Sequence, residues 1–142
     1  MARGGCDFRQ FREFQEKLQK LEQADFEAFC EASAKELAAR LLAKVKYRTK
    51  PGEYPPSTGK VGGTLRSGWT VGAMEKRGNM YCIEVINPIF YASYVEFGHR
   101  TRNHKGWVKG KFMLTISEQE LQSQARSILE KKLTQFLKNQ FE

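Results

Sequence analysis

RSGWTVGAMEKRGNMYCIEVINP, Arg66 to Pro88, is the stretch whose reading decides the fold. Tyr81, Ile83 and Val85 alternate with polar or thiol positions, the period of a half-buried strand. The preceding run, RSGWTVGAME, is also strand-like, and the residues from Lys76 to Asn79 predict a turn between the two. A β-hairpin follows from this pattern. Asn87-Pro88 closes its second strand, because proline has no N–H for a ladder and biases its predecessor away from helix.

Toward the N-terminus the period changes. Phe8, Phe11, Phe14, Leu18 and Leu21 are spaced by three and four residues, with Asp7 as N-cap, which predicts a first helix. A second is predicted from Asp25 to about Lys46, with Phe26, Phe29, Cys30, Leu37, Leu41 and Val45 on its apolar face. Between this helix and the hairpin stands YRTKPGEYPPSTGKVGG, residues 47–63, holding three of the four prolines and four of the twelve glycines. Such a run resists helix and ladder alike and is expected to be a long flexible loop, ordered against a partner.

Toward the C-terminus, IFYASYVEFG predicts a short helical turn entering an extended end, and the basic run after it predicts a loop over residues 99–110. KFMLTIS is expected to be a further strand. Ser117 with Glu120 three residues later matches a capping box ahead of a last helix, Glu118 to Asn139. Leu121, Ala125, Ile128, Leu129, Leu133, Phe136 and Leu137 form its apolar stripe. The class is therefore α+β: a small antiparallel sheet packed against long N-terminal and C-terminal helices, in a single domain over residues 1–142.

The 142 residues carry 24 Lys/Arg against 16 Asp/Glu, a formal charge of +8 that favours contact with a polyanion or an acidic protein face. Cys6, Cys30 and Cys82 are odd in number and never form C-x-x-C, so reduced thiols are expected. The start, MARGGCDFRQF, has no apolar h-region, and no window reaches the length of a membrane span, so neither an export signal nor a membrane anchor is expected.

His99 and His104, with Cys82 or Glu96, lack the spacing of a metal site, and the neighbouring cations oppose a divalent ion. STGKVGGT has the order of residues wrong for a phosphate-binding P-loop, and no G-x-S-x-G elbow occurs. No catalytic, cofactor-binding or metal-binding residue is assigned. Glu96, between Val95 and Phe97, reads as a desolvated carboxylate paired with Arg66 or Arg100 and fixing the turn at Gly98. The run HRTRNHKGWVKGK sets Arg100, Arg102, Lys105, Lys109 and Lys111 around Trp107, a mixture able to contact phosphates and stack on bases without reading sequence.

Gly63, Leu65, Arg66 and Trp69, followed by Asn87, Tyr91, Ala92, Val95, Glu96 and Gly98, resemble the G-x-L-R-x-S-W and N-x-x-x-Y-A-x-x-V-E-x-G signatures of the phage tail-component family. The order of helices, Pro/Gly loop and closing helix is similar over most of the chain. Gly68 stands where a serine is common, and a longer basic loop replaces a proline-rich segment. The resemblance implies a non-enzymatic virion protein of tailed phages and prophages that joins head to tail, or completes the tail. It implies a homo-oligomeric ring, a hexamer, between the portal-side connector and the tail-tube proteins, with double-stranded DNA passing through it. Its place would be the head-tail junction of the virion, reached from the host cytoplasm during assembly. The alternative from the residues alone is a sequence-independent nucleic-acid-binding module that uses the basic loop without forming a ring.

Overall fold

The computed structural model describes Arg12 and residues 23–141. The expected first helix, with Asp7, Phe8, Phe11, Phe14, Leu18 and Leu21, lies outside the described residues, as does Cys6.

Helix α1, Gln23–Arg48, opens with Asp25 in its first turn and closes with Lys46 and Arg48 in its last, each sign complementing the helix dipole. It stops where Thr49 folds back, donating its backbone N–H (3.0 Å) and its hydroxyl (2.7 Å) to the Val45 carbonyl. Pro51 then disfavours helix at Lys50. The last helix, α4, is Met113–Phe141 and runs antiparallel to α1. Early residues of one meet late residues of the other: Phe29 stacks on Phe136 at 4.7 Å, Lys132 pairs with Glu36 at 2.6 Å, and Glu120 pairs with Lys44 at 2.6 Å and also with Arg48.

The smaller elements lie between these helices in the chain. Residues 49–63 hold a single turn of 3-10 helix, Pro56–Thr58, and residues 50–61 are exposed throughout. Then come α2 (Thr64–Gly68), β1 (Thr70–Val71), β2 (Glu75–Arg77), β3 (Met80–Cys82), β4 (Val85–Ile86), α3 (Ala92–Phe97), β5 (Gly98–Arg100) and β6 (Trp107–Lys109). Strands pair as three two-stranded antiparallel ladders, β1 with β4, β2 with β3 and β5 with β6. The first two belong to the hairpin expected from Arg66 to Asn87. Thr70 faces Ile86 near its base and Arg77 faces Met80 at its tip, with Gly72 donating to the Glu84 carbonyl (2.7 Å) between them. Half-buried Ile83, Val85, Asn87 and Ile89 alternate with exposed Glu84, Ile86, Pro88 and Phe90; of the residues whose alternation predicts the strand, Ile83 and Val85 follow this pattern, while Tyr81 is next to a half-buried Cys82.

Three local expectations are corrected. Arg66 to Gly68 are the end of α2 and not the start of a strand. KFMLTIS is not a strand either: Phe112 turns into the left-handed region at φ 48° and Met113 begins α4. Ser117 is therefore no cap; it is buried inside the helix and donates to the Met113 carbonyl at 2.6 Å.

The core is small and joins distant parts of the chain. Val45 of α1, Trp69 before β1 and Met113 of α4 are buried together, with Leu42, Leu65, Val85, Val95 and Leu114 packed around them. Burying an aliphatic or thioether side chain of this kind contributes about 1.5–3 kcal/mol. Of the apolar face expected on α1, Val45 is fully buried, whereas Phe26 is exposed and the rest is half-buried. The α4 stripe is likewise only partly covered, and Leu129 and Leu133 remain exposed.

Candidate functional site

Most of the signature residues assemble into a brace between the core and the start of α4. Gly63 precedes α2 with φ 101°, and Leu65 packs on the core. Asn87 donates its amide to the Leu65 carbonyl at 2.8 Å, while its side-chain oxygen accepts from the Ile89 N–H at 3.1 Å, so one side chain ties α2 to the end of the hairpin. Trp69 is 4% exposed, and its indole N–H donates to Thr49 Oγ1 at 2.8 Å. Tyr91 precedes α3, Ala92 is buried within it, and Val95 faces the core. Arg66 stands exposed on α2.

Glu96, 5% exposed, is the polar centre of this brace. Its carboxylate accepts from the backbone N–H of Leu114 (2.9 Å), from that of Thr115 (2.8 Å) and from the Thr115 hydroxyl (2.8 Å). The charge expected beside Arg66 or Arg100 is instead met by the first turn of α4, where unpaired N–H groups and the helix dipole favour an anion. Neither arginine pairs with it among the described residues. Thr115 and the α4 start at Met113 escaped sequence reasoning, because the cap lies 18–19 residues away in the chain and no local spacing encodes it.

Immediately after Glu96 the chain must leave α3 and pair with β6. Gly98 makes this turn at φ 89°, and a Cβ there would meet the Val108 carbonyl oxygen at 2.5 Å and Trp107 Nε1 at 2.8 Å. Only a glycine fits both the dihedral and the contact.

The basic segment is a β-hairpin where a loop was expected. Gly98 faces Lys109, His99 faces Val108 and Arg100 faces Trp107. Cross-strand partners share a face, so Arg100, Trp107 and Lys109 lie on one side and His99 and Val108 on the other. The tip is fixed by its own polar groups. Thr101 donates its N–H to the Gly106 carbonyl at 3.0 Å, Gly106 donates back to Thr101 Oγ1 at 3.0 Å, and Asn103 Oδ1 accepts from the Thr101 hydroxyl (2.6 Å) and the Lys105 N–H (3.1 Å). Arg102 and Lys105 are thereby presented on an ordered tip, and Trp107 is 62% exposed. The charged groups of Arg100, Arg102, Lys105, Lys109 and Lys111 have no ion-pair partner among the described residues. An open concavity of about 700 Å³ beside the hairpin is lined by Tyr94, His99, Arg100, His104 and Trp107.

His99, His104, Cys82 and Glu96 do not form a metal-holding group. His99 Nδ1 lies 2.8 Å from the Arg100 carbonyl and its ring meets Tyr94 edge-on, while both oxygens of Glu96 are occupied. No group of three or more His, Cys, Asp or Glu side chains placed to hold a metal occurs among the described residues. No described helix is long and apolar enough to cross a membrane.

No curated protein and no solved structure matches the chain. The family model for the Bacteriophage HK97-gp10 tail component matches residues 12–98, from the α1 side of the molecule through the Glu96–Gly98 turn. This segment covers well over half of the chain and contains every residue of the brace contributed before α4, so the chain belongs to the HK97-gp10-like family of phage tail components, a family of structural virion proteins.

Proposed function

We propose that the protein works at the head-tail junction, as a head-tail joining or tail-completion protein that forms a homo-oligomeric ring between the portal-side connector and the tail tube. Double-stranded DNA passes through the ring, and the chain performs no catalysis. The observation that carries this reading is the ordered hairpin, whose unpaired cations and exposed Trp107 stand on a rigid base instead of a mobile loop. Cations held in this way lower the potential energy of a passing polyanion without selecting its sequence. Exposed aromatic side chains support self-association. Phe90 (84%) before α3, and Tyr94 (55%) and Phe97 (61%) within it, are exposed, and apolar exposure of this kind is characteristic of a surface covered in an assembly.

The test is electron microscopy of particles assembled with the chain in which Arg100, Arg102 and Lys105 are all replaced by Gln. Heads and tails that remain unjoined, from a variant that melts like the wild type, are the expected outcome. Normal joining would overturn the role of the hairpin. The rival reading, a solitary nucleic-acid-binding module, is favoured by Trp107 beside the same cations. It predicts binding of duplex DNA by the lone chain, with affinity falling steeply as salt rises.

A further inference from the structure

A second cationic feature lies away from the hairpin tip. Lys50, Arg66 and Lys111 line one pocket of about 190 Å³, and no Asp or Glu lines it. None of these cations has an acidic partner among the described residues. Three like charges around a single recess repel one another, so the recess attracts a counter-charge.

The walls are built and not incidental. Lys50 follows Thr49, which is tied to the Val45 carbonyl. Arg66 stands on α2, which Asn87 holds through the Leu65 carbonyl. The backbone N–H of Lys111 donates to the Val95 carbonyl at 2.8 Å. The outer wall is the Pro/Gly loop, whose ends meet so closely that a Cβ on Gly62 would overlap the backbone of Gly52. Within that loop the Lys60 ammonium lies 5.7 Å from the centroid of the Tyr54 ring. Half-buried Leu65 and Val95 stand at its base with buried Met113 behind them, and the accessible lining as a whole is more polar than apolar.

We propose that this pocket recognises a carboxylate: it takes the Glu or Asp side chain of an acidic segment on a neighbouring virion protein. The proposal rests on the reading of the chain as a virion assembly protein. Charge complementarity selects an anion, and the small size of the recess selects an acidic side chain. A carboxylate on a short methylene stem can enter a cavity of about 190 Å³, whereas a duplex phosphate is carried on a broad rod with sugars on either side. Charge-assisted hydrogen bonds from lysine and arginine are the strong ones available to such a group.

The experiment is fluorescence anisotropy of a labelled poly-glutamate peptide titrated with the full chain, the variants being checked by thermal melting. Wild type should bind, and Lys50→Gln, Arg66→Gln and Lys111→Gln should each weaken binding about tenfold. The double variant Lys131→Gln/Lys138→Gln removes charge elsewhere, on α4, and should leave the affinity unchanged. Equal losses in that control would reduce the pocket to general attraction and overturn the proposal. So would a duplex oligonucleotide that binds more tightly than the peptide and loses affinity in the pocket variants, or pocket variants that lose self-association instead of peptide binding. Joining of heads to tails that proceeds normally without the chain would remove the junction reading, yet leave the peptide titration to stand or fall by itself.

Discussion

The Glu96 carboxylate and Thr115 are joined twice, through the backbone N–H and through the hydroxyl, both at 2.8 Å. That pair fixes where α4 begins relative to α3, and it explains why a buried carboxylate is tolerated without an arginine. Glu96→Gln retains one acceptor oxygen but turns an amide NH₂ toward an N–H donor. Loss of a satisfied buried group of this kind costs about 1–3 kcal/mol. The expected outcome in a thermal melt is a lower Tm, by about 3–6 °C per kcal/mol for a chain of this length. An unchanged Tm would show that the α4 N-terminus does not depend on the carboxylate.

Trp69→Phe isolates the other tie in the brace. Phenylalanine keeps most of the buried apolar surface but lacks the indole N–H that Thr49 Oγ1 accepts. A loss of about 0.5–1.5 kcal/mol is expected for the hydrogen bond, plus a packing term for the smaller ring. Trp69→Ala should cost about 3–5 kcal/mol, since it empties the centre of the small core. Denaturant melts of the two variants separate the polar contribution from the apolar one.

The difference between what was legible in the sequence and what was not follows the range of the interactions. Alternation at Ile83 and Val85, the Asn87-Pro88 stop and the helical turn leading into Gly98 are local and appear where the residues predict them, whereas Cys82 beside Tyr81 is half-buried and breaks the expected alternation. The start of α4 was illegible because its cap, Glu96, lies outside any local window, while Ser117 and Glu120 mimic a capping box from inside the helix. The basic hairpin was missed for a related reason. Its strands are three residues each, and the run through Gly98, His99 and Lys109 carries no apolar alternation, so the pairing rests on backbone bonds and the Thr101–Gly106 tip. Arg66 was wrongly placed in a strand, because a five-residue helix is too short to show a period.

Gly98→Ala tests the turn on which the hairpin depends. An alanine must adopt a left-handed φ and also displace the Val108 carbonyl, which its Cβ would approach to 2.5 Å. The dihedral alone costs about 1–3 kcal/mol, and the displaced strand adds to it. Amide hydrogen exchange should show lost protection at β5 and β6, while protection in α1 is retained. Uniform loss of protection would place Gly98 in the core's stability and not in the hairpin's.

Acid should loosen the pairing of α1 with α4. The Glu120 carboxyl is held below the ordinary glutamate value, first by its hydrogen bond from Lys44 and then by that from Arg48. Glu36 is lowered chiefly by the hydrogen bond from Lys132. Both carboxylates bridge the two long helices. A group whose folded pKa is depressed adds stability above its unfolded value, about 4.3 for glutamate, and that contribution disappears as the pH falls through the folded value. Lys76 has the opposite sign: its pKa is raised, first by its hydrogen bond to Glu27, so its own titration removes that contribution only as the pH rises through the folded value, above about 10.4. The expected result is a Tm that is flat from about pH 7 to pH 5 with respect to these groups and declines below about pH 4.3. Glu120→Gln should lower the Tm at neutral pH and make the acid decline shallower. All of these ion pairs are partly exposed, so added salt should weaken the effect without removing it. An acid decline just as steep in the Glu120→Gln/Glu36→Gln variant would place the sensitive carboxylates elsewhere.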